Sequence, residues 1–272
     1  MTAPEPAPGD RQVVALCLAG LDGAVREAVE PDRQFYAAST MKLAVLIEAY
    51  RRHDAGQLDL ELEVPVRTTF TSVADGSSYV LDDDEVDHEL AGRSGASMPV
   101  LQLIERMVTV SSNEATNLVL DLLDLGEVTA TAHRLGATRT HVRRPIGDMV
   151  ARAAGTTNLV TPADLVRLLT AIATGQAASP ASCRAMLGVL GRQRYRDEIP
   201  AGVPGWVPTA NKNGWVQGIR HDAALVWPPD APPYCLAVCT EGFDDDQARR
   251  AIQEVSARAW SARHVVDRAA AT

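Results

Sequence analysis

The sequence predicts an α/β (α+β) protein: a five-stranded antiparallel sheet built from both chain ends, flanked by helices and joined to an all-helical lobe. Three observations predict it. Short apolar stretches bounded by Gly, Pro and Asp occur near the two ends of the chain. The long middle carries its apolar residues at helical spacing. The 272 residues suffice to bury a core without disulfide or metal staples.

In chain order, 13–19 is an apolar run, Gly20-Leu21-Asp22-Gly23 is turn-like, and 24–30 is a second extended stretch, so the pair reads as a β-hairpin. Helical periodicity follows at 42–52, 100–109, 115–123, 128–135 and 162–174, the last opened by Thr161 as N-cap and Pro162 at the first helical position. Three more strands are expected at 215–219, 223–227 and 234–240, interrupted by Gly218, Pro228-Pro229 and Pro232-Pro233, and a terminal helix at 245–269. The expected division is a sheet lobe of 1–38 and 196–272 and a helical lobe of 39–195, with the active site at their interface. No repeat is present, and the acidic run Asp82-Asp83-Asp84-Glu85 reads as a solvated loop.

Composition narrows the partners. The net charge of -9 argues against nucleic acid or an anionic membrane surface. Aromatic residues make up only 4%, so the core is expected to be aliphatic. Cys17, Cys183, Cys235 and Cys239 lack metal or redox spacing and read as buried reduced thiols. The six His show no metal spacing and are taken as structural. The first ten residues have neither a basic n-region nor an apolar h-region, and no apolar run reaches the length of a bilayer span. The expectation is a cytoplasmic monomer without a cofactor.

The lysine census points to chemistry. Of 26 basic residues only Lys42 and Lys212 are lysine. Arg serves wherever a mere cation is needed, whereas lysine can lose its proton when desolvated. Lys42 closes Ser39-Thr40-Met41-Lys42 at the start of a helix. A serine there is often an N-cap. Residues i and i+3 also share a helix face, so the amine can reach the Ser39 hydroxyl. Burial and the positive helix end lower such an amine toward neutrality, and a neutral amine can take the proton of a weak hydroxyl nucleophile. Lys212 lies in Asn211-Lys212-Asn213-Gly214-Trp215, and Ser111-Ser112-Asn113 precedes a further helix.

In order and spacing these three motifs resemble the Ser-x-x-Lys, Ser-Asp-Asn and Lys-Thr-Gly signature of class A β-lactamases and penicillin-binding proteins. Ser112 stands in place of Asp and Asn213 in place of Thr. The stretches 110–118 and 218–223 are also similar to the family, and the resemblance runs from about Val13 to Trp260. It implies a β-lactamase-like fold and a role for each residue. Ser39 would attack a carbonyl, Lys42 would activate it, and Ser111 would pass a proton to the leaving nitrogen. Asn113 would orient the substrate amide. Lys212, with Asn213 and Gly214, would face a substrate carboxylate, and the N–H groups of Ser39 and Trp215 would form an oxyanion hole. Arg220 could complement that carboxylate or equally form a surface ion pair.

The pattern breaks at the group that activates the deacylating water. Class A enzymes use a loop Glu, but this chain has no Glu between Glu127 and Glu198. Ungapped alignment from Leu135-Gly136 puts Ile146 at the family's Glu position. Asp148, two residues on, could serve as base if the loop shifts, or could cap a turn or pair with Arg143, Arg144 or Arg152. Three readings stay open: a serine hydrolase acting on a β-lactam or related amide or ester, a D-alanyl peptide hydrolase or esterase, and a penicillin-binding or sensor module without turnover.

Overall fold

A computed structural model describes residues 11–82 and 85–264. The first ten residues, Asp83 and Asp84 of the acidic run, and 265–269 of the expected terminal helix lie outside the described residues. The two chain ends close one antiparallel sheet made of β1 (Val13–Gly20), β2 (Val25–Val29), β3 (Thr209–Val216), β4 (Ile219–Val226) and β5 (Tyr234–Glu241). The spatial order is β2-β1-β5-β4-β3, so β3 is an edge. The expected five-stranded antiparallel sheet built from both chain ends is therefore found.

Two boundaries differ from expectation, for a common reason. The strand expected at 215–219 is Thr209–Val216, and its successor begins at Ile219 rather than 223. Gly218 (φ 76°) lies in the tight turn between them. Buried polar residues, Asn211, Lys212, Asn213 and Asp222, occupy positions where an apolar alternation was sought.

Strand alternation sorts side chains by size. Ala15, Cys17 and Ala19 of β1 and Cys235, Ala237 and Cys239 of β5 face the large helical core, while Leu16, Leu18, Leu236 and Val238 face the opposite side. The small side chains let α7 (Pro162–Ala173) lie close on the sheet, and the larger ones fill the layer under α9 (Asp245–Ser261). All four cysteines are free and buried, packed as small hydrophobes.

The helical block contains α1 (Lys42–Asp54), α2 (His88–Ala91), α3 (Val100–Thr109), α4 (Asn113–Leu120), α5 (Leu125–Arg134), α6 (Met149–Ala153), α7 and α8 (Pro180–Gly191). Thr161 caps α7 through the Asp164 N–H, with Pro162 in the first turn. α2, α6 and α8 were not expected. Of these, α8 carries the same Ser179-Pro180 cap signal, but Gly188 and Gly191 weaken its periodicity. Among the described residues no helix is long and apolar enough to cross a membrane.

Candidate active site

The site forms where the start of α1 meets the β3 edge and the α3–α4 turn. Ser39 lies in a 3₁₀ turn, Ala38–Met41, that runs directly into α1. Ala38 before it has φ 42°, and Ser111 in the α3–α4 turn has φ 56°. For residues with a Cβ these are strained conformations, which cluster at functional sites. Gly214 explains how β3 approaches: a Cβ there would lie 2.5 Å from Ser39 N and 2.9 Å from Thr40 N. Only a residue without a side chain allows the strand to rest against the Ser39 turn.

Edge pairing sets the direction of the Trp215 N–H. Trp227 N donates to Pro208 O, and hydrogen-bonded pairs then recur at every second residue along the β3–β4 ladder. Trp215 falls on a non-bonded position, so its N–H points off the edge, on the side where Ser39 N lies. Trp215 is 39% exposed, and its indole stands edge-on to Tyr195 with centroids 5.1 Å apart and is covered by the Arg220 guanidinium at 5.3 Å. Tyr195 and Trp215 form one wall of a cleft of about 660 Å³ that also contains Ser39, Ser111 and Asn113. The sequence motifs give no sign of Tyr195, because a lone aromatic in a loop carries no spacing.

Both lysines are fully buried and meet at one hydroxyl. Lys42 Nζ lies 3.2 Å and Lys212 Nζ 3.1 Å from Ser111 Oγ. Lys42 also donates to Ser111 O at 2.7 Å and Asn113 Oδ1 at 2.9 Å, and Lys212 donates to Asn213 O at 2.7 Å. The amine expected at the Ser39 hydroxyl is thus bonded to Ser111 and Asn113, and no Ser39–Lys42 side-chain bond occurs among the described residues. Burial, reinforced by the nearby Lys212 charge, holds the Lys42 amine well below the ordinary lysine range, against the opposing pull of Glu114 and Glu85. Burial brings Lys212 to about 7, partly offset by Asp222 and Glu198. Two ammonium groups on one hydroxyl repel each other in a dry site, so a neutral amine is available near neutral pH.

Three expected residues have other partners. Asp148 is completely buried and caps α6: Oδ1 accepts from Ala151 N at 2.9 Å and Ser72 Oγ at 2.8 Å, and Oδ2 from Val73 N at 2.9 Å. It does not line the cleft that holds Ser39. The loop shift required to make it a base is absent; the cap alternative is what the structure contains. Asn213 turns to the α9 face, where Nδ2 donates to the buried Glu198 at 3.1 Å. Arg220 is neither open to a substrate carboxylate nor a surface pair. It is 6% exposed, pairs with Glu198, and donates to Asp245 Oδ1 through Nε at 2.9 Å.

Ile146 is buried, and both of its main-chain polar groups are clamped by Asn117: Ile146 N donates to Asn117 Oδ1 at 2.8 Å, and Asn117 Nδ2 donates to Ile146 O at 2.9 Å. The loop is fixed with an apolar side chain at that position.

A family model described as the beta-lactamase enzyme family matches residues 9–262. A beta-lactamase of Streptomyces albus G is 29% identical over 160 residues, covering 57% of this chain and 51% of that protein. The chain spans about half the length of the curated relatives it matches. The crystal structure of a beta-lactamase from Sphaerobacter thermophilus superposes with a TM-score of 0.80 at 26% identity, covering 94% of this chain and 93% of that one. A mutant of PBP-A, solved as an acyl-enzyme complex with penicillin G, gives a TM-score of 0.77 at 25% identity, covering 93% and 90%.

Proposed function

Because the chain belongs to the beta-lactamase enzyme family, we propose that it is a serine hydrolase that opens a β-lactam, or a related amide or ester, through an acyl-Ser39 intermediate. The observation that carries this reading is the convergence of the chain's two lysines on Ser111 Oγ, in the cleft that holds Ser39. A neutral Lys42 takes the Ser39 proton as Oγ attacks the carbonyl carbon. The resting Ser39 hydroxyl is not yet bonded to the amine, and such bonds often tighten only when substrate is bound. The N–H groups of Ser39 and Trp215 receive the developing oxyanion, each donor worth about 3–4 kcal/mol in the transition state. The carbonyl–nitrogen bond then breaks. Ser111 delivers its proton to the leaving nitrogen and is resupplied by the lysines, which the two Nζ–Oγ distances support. Asn113, held by Lys42 and Glu85, keeps a second N–H to orient the substrate amide.

The reaction lies at the junction of the sheet lobe (1–38 and 196–272) and the helical lobe (39–195). A second reading, penicillin binding without rapid turnover, is favoured by a specific observation: Ile146 and the fully bonded Asp148 leave the loop without an acid facing the cleft. The PBP-A mutant's capture as a penicillin G acyl-enzyme is consistent with acylation on this fold.

Intact-protein mass after incubation with penicillin G, for wild type and Ser39→Ala, tests the proposal. The expected result is an adduct of one penicillin, or hydrolysed product, in wild type and neither in the variant. An adduct on Ser39→Ala would place the nucleophile elsewhere.

A further inference from the structure

One buried carboxylate draws the polar side chains of the β3–β4 edge away from the cleft. Glu198 is 1% exposed, and each of its oxygens has a partner: Oε1 accepts from Arg220 Nη1, and Oε2 accepts from Asn213 Nδ2 at 3.1 Å. Arg220 also donates to Asp245 Oδ1 through Nε at 2.9 Å, so two carboxylates neutralise one guanidinium. Trp215 lies over that guanidinium at 5.3 Å. Arg220 opens on a separate cavity of about 250 Å³, shared with Phe243 and Asp245, and not on the cleft that holds Ser39. Asn213 is likewise buried. The remaining cation of the edge, Lys212, is completely buried and donates to Ser111 Oγ and Asn213 O.

The cleft itself is acidic. Four carboxylates line it, Asp82, Glu85, Asp87 and Glu89, against two guanidiniums, Arg106 and Arg152. Both guanidiniums come from the helical lobe, not from the β3–β4 edge. Arg106 is paired with Asp87 and Glu89, and Arg152 stands over the Tyr36 ring at 5.9 Å. An anion enters such a cleft against an excess of negative charge, which low-dielectric walls focus.

We propose that Glu198 is a positioning residue that sets the specificity of the acyl-Ser39 chemistry read above, on which this inference rests. By keeping Asn213 and Arg220 to itself, it presents no charged donor on the strand edge for a carboxylate. The substrate class is an ester, amide or lactam whose group beside β3 is uncharged or cationic. Glu198 touches no reacting atom and acts only through these two partners.

The test compares one lactam in three charge states: penicillin G, its methyl ester and its 2-(diethylamino)ethyl ester. The rate of adduct or product formation is read by intact mass and chromatography for wild type, Glu198→Gln and Ser39→Ala. Wild type is expected to react with both esters about 10-fold faster than with penicillin G, the scale of one nearby charge screened as at a protein surface. Added salt should speed the reaction of penicillin G, because it screens a repulsion. Glu198→Gln should lower the ratio of methyl ester to penicillin G about 10-fold, and a ratio within one protein cancels any general change in Ser39 reactivity. The wild-type comparison stands even if that variant fails to fold. Penicillin G reacting as fast as the esters, or faster, overturns the proposal, as does a rate that falls with salt or a ratio unchanged in folded Glu198→Gln. Each of these leaves the acyl-serine reading standing, provided Ser39→Ala takes no adduct. If wild type yields neither adduct nor product with any of the three, the acyl-serine reading falls, and the specificity assignment falls with it.

Discussion

At the scale of single residues, the chain's preference for arginine gives the lysines their meaning. Wherever the fold needs a permanent cation it uses Arg: Arg106 on Asp87 and Glu89, Arg220 on Glu198 and Asp245, Arg263 on Asp230. Lys42 and Lys212 are instead buried completely, where desolvation favours the neutral form. Arginine cannot release its proton there, so Lys42→Arg keeps the charge and removes the base. The expected outcome is a loss of acylation of about 10²-fold or more, measured by mass with penicillin G. The wild-type acylation rate should also fall as pH drops through the lowered Lys42 range, because protonation abolishes the base. A rate that does not fall on acidification anywhere in the range where the protein stays folded would assign the proton transfer to another group.

At the scale of elements, the site depends on a strand edge resting against a helix start, and Gly214 is the contact. An added Cβ 2.5 Å from Ser39 N cannot be absorbed by a flexible side-chain end, since the atoms it meets are main chain. Gly214→Ala should therefore displace the Ser39 turn from the Trp215 N–H, and losing one oxyanion donor costs about 10²–10³-fold in rate. The expected result is slower acylation by that order while the protein stays folded by circular dichroism; unchanged acylation would mean the two N–H groups do not act together. This approach was legible in the sequence as the spacing of three motifs, but its geometry was not. The motifs name residue types, whereas the direction of Asn213 and Arg220 toward Glu198 follows from which face of β3 and β4 each occupies. Register fixes the face, and the buried polar run Asn211 to Asn213 hid the strand's true start. Asp148 was readable as either a base or a cap because Asp suits both. Its choice rests on Ser72 and Val73, some 75 residues away in sequence and invisible to local pattern.

At the scale of the whole molecule, both chain ends must meet in one sheet before the site exists, and His221 shows how tightly that closure is held. It lies on β4 and is completely buried, edge-on to Phe35 with centroids 5.4 Å apart. Nδ1 lies 2.8 Å from Arg220 O and 3.2 Å from Thr240 N on β5, and Nε2 lies 3.0 Å from Tyr36 O, just ahead of the Ser39 turn. Burial lowers its pKa from 6.5 to about 4, against the opposing pull of the Tyr36 and Arg220 carbonyls, so the folded ring is neutral at pH 7. Between those two values the unfolded chain binds a proton that the folded one does not, so stability rises with pH there. The contribution is fully present above about pH 6.5 and is lost as pH falls toward 4, a difference of about 3 kcal/mol over the window. His221→Gln retains a donor that can reach Tyr36 O and cannot titrate. Urea unfolding at several pH values across the window should show wild type losing more stability on acidification than His221→Gln, by about that amount. Parallel losses in the two proteins would mean that His221 is protonated without opening the junction between the sheet and the segment leading to Ser39.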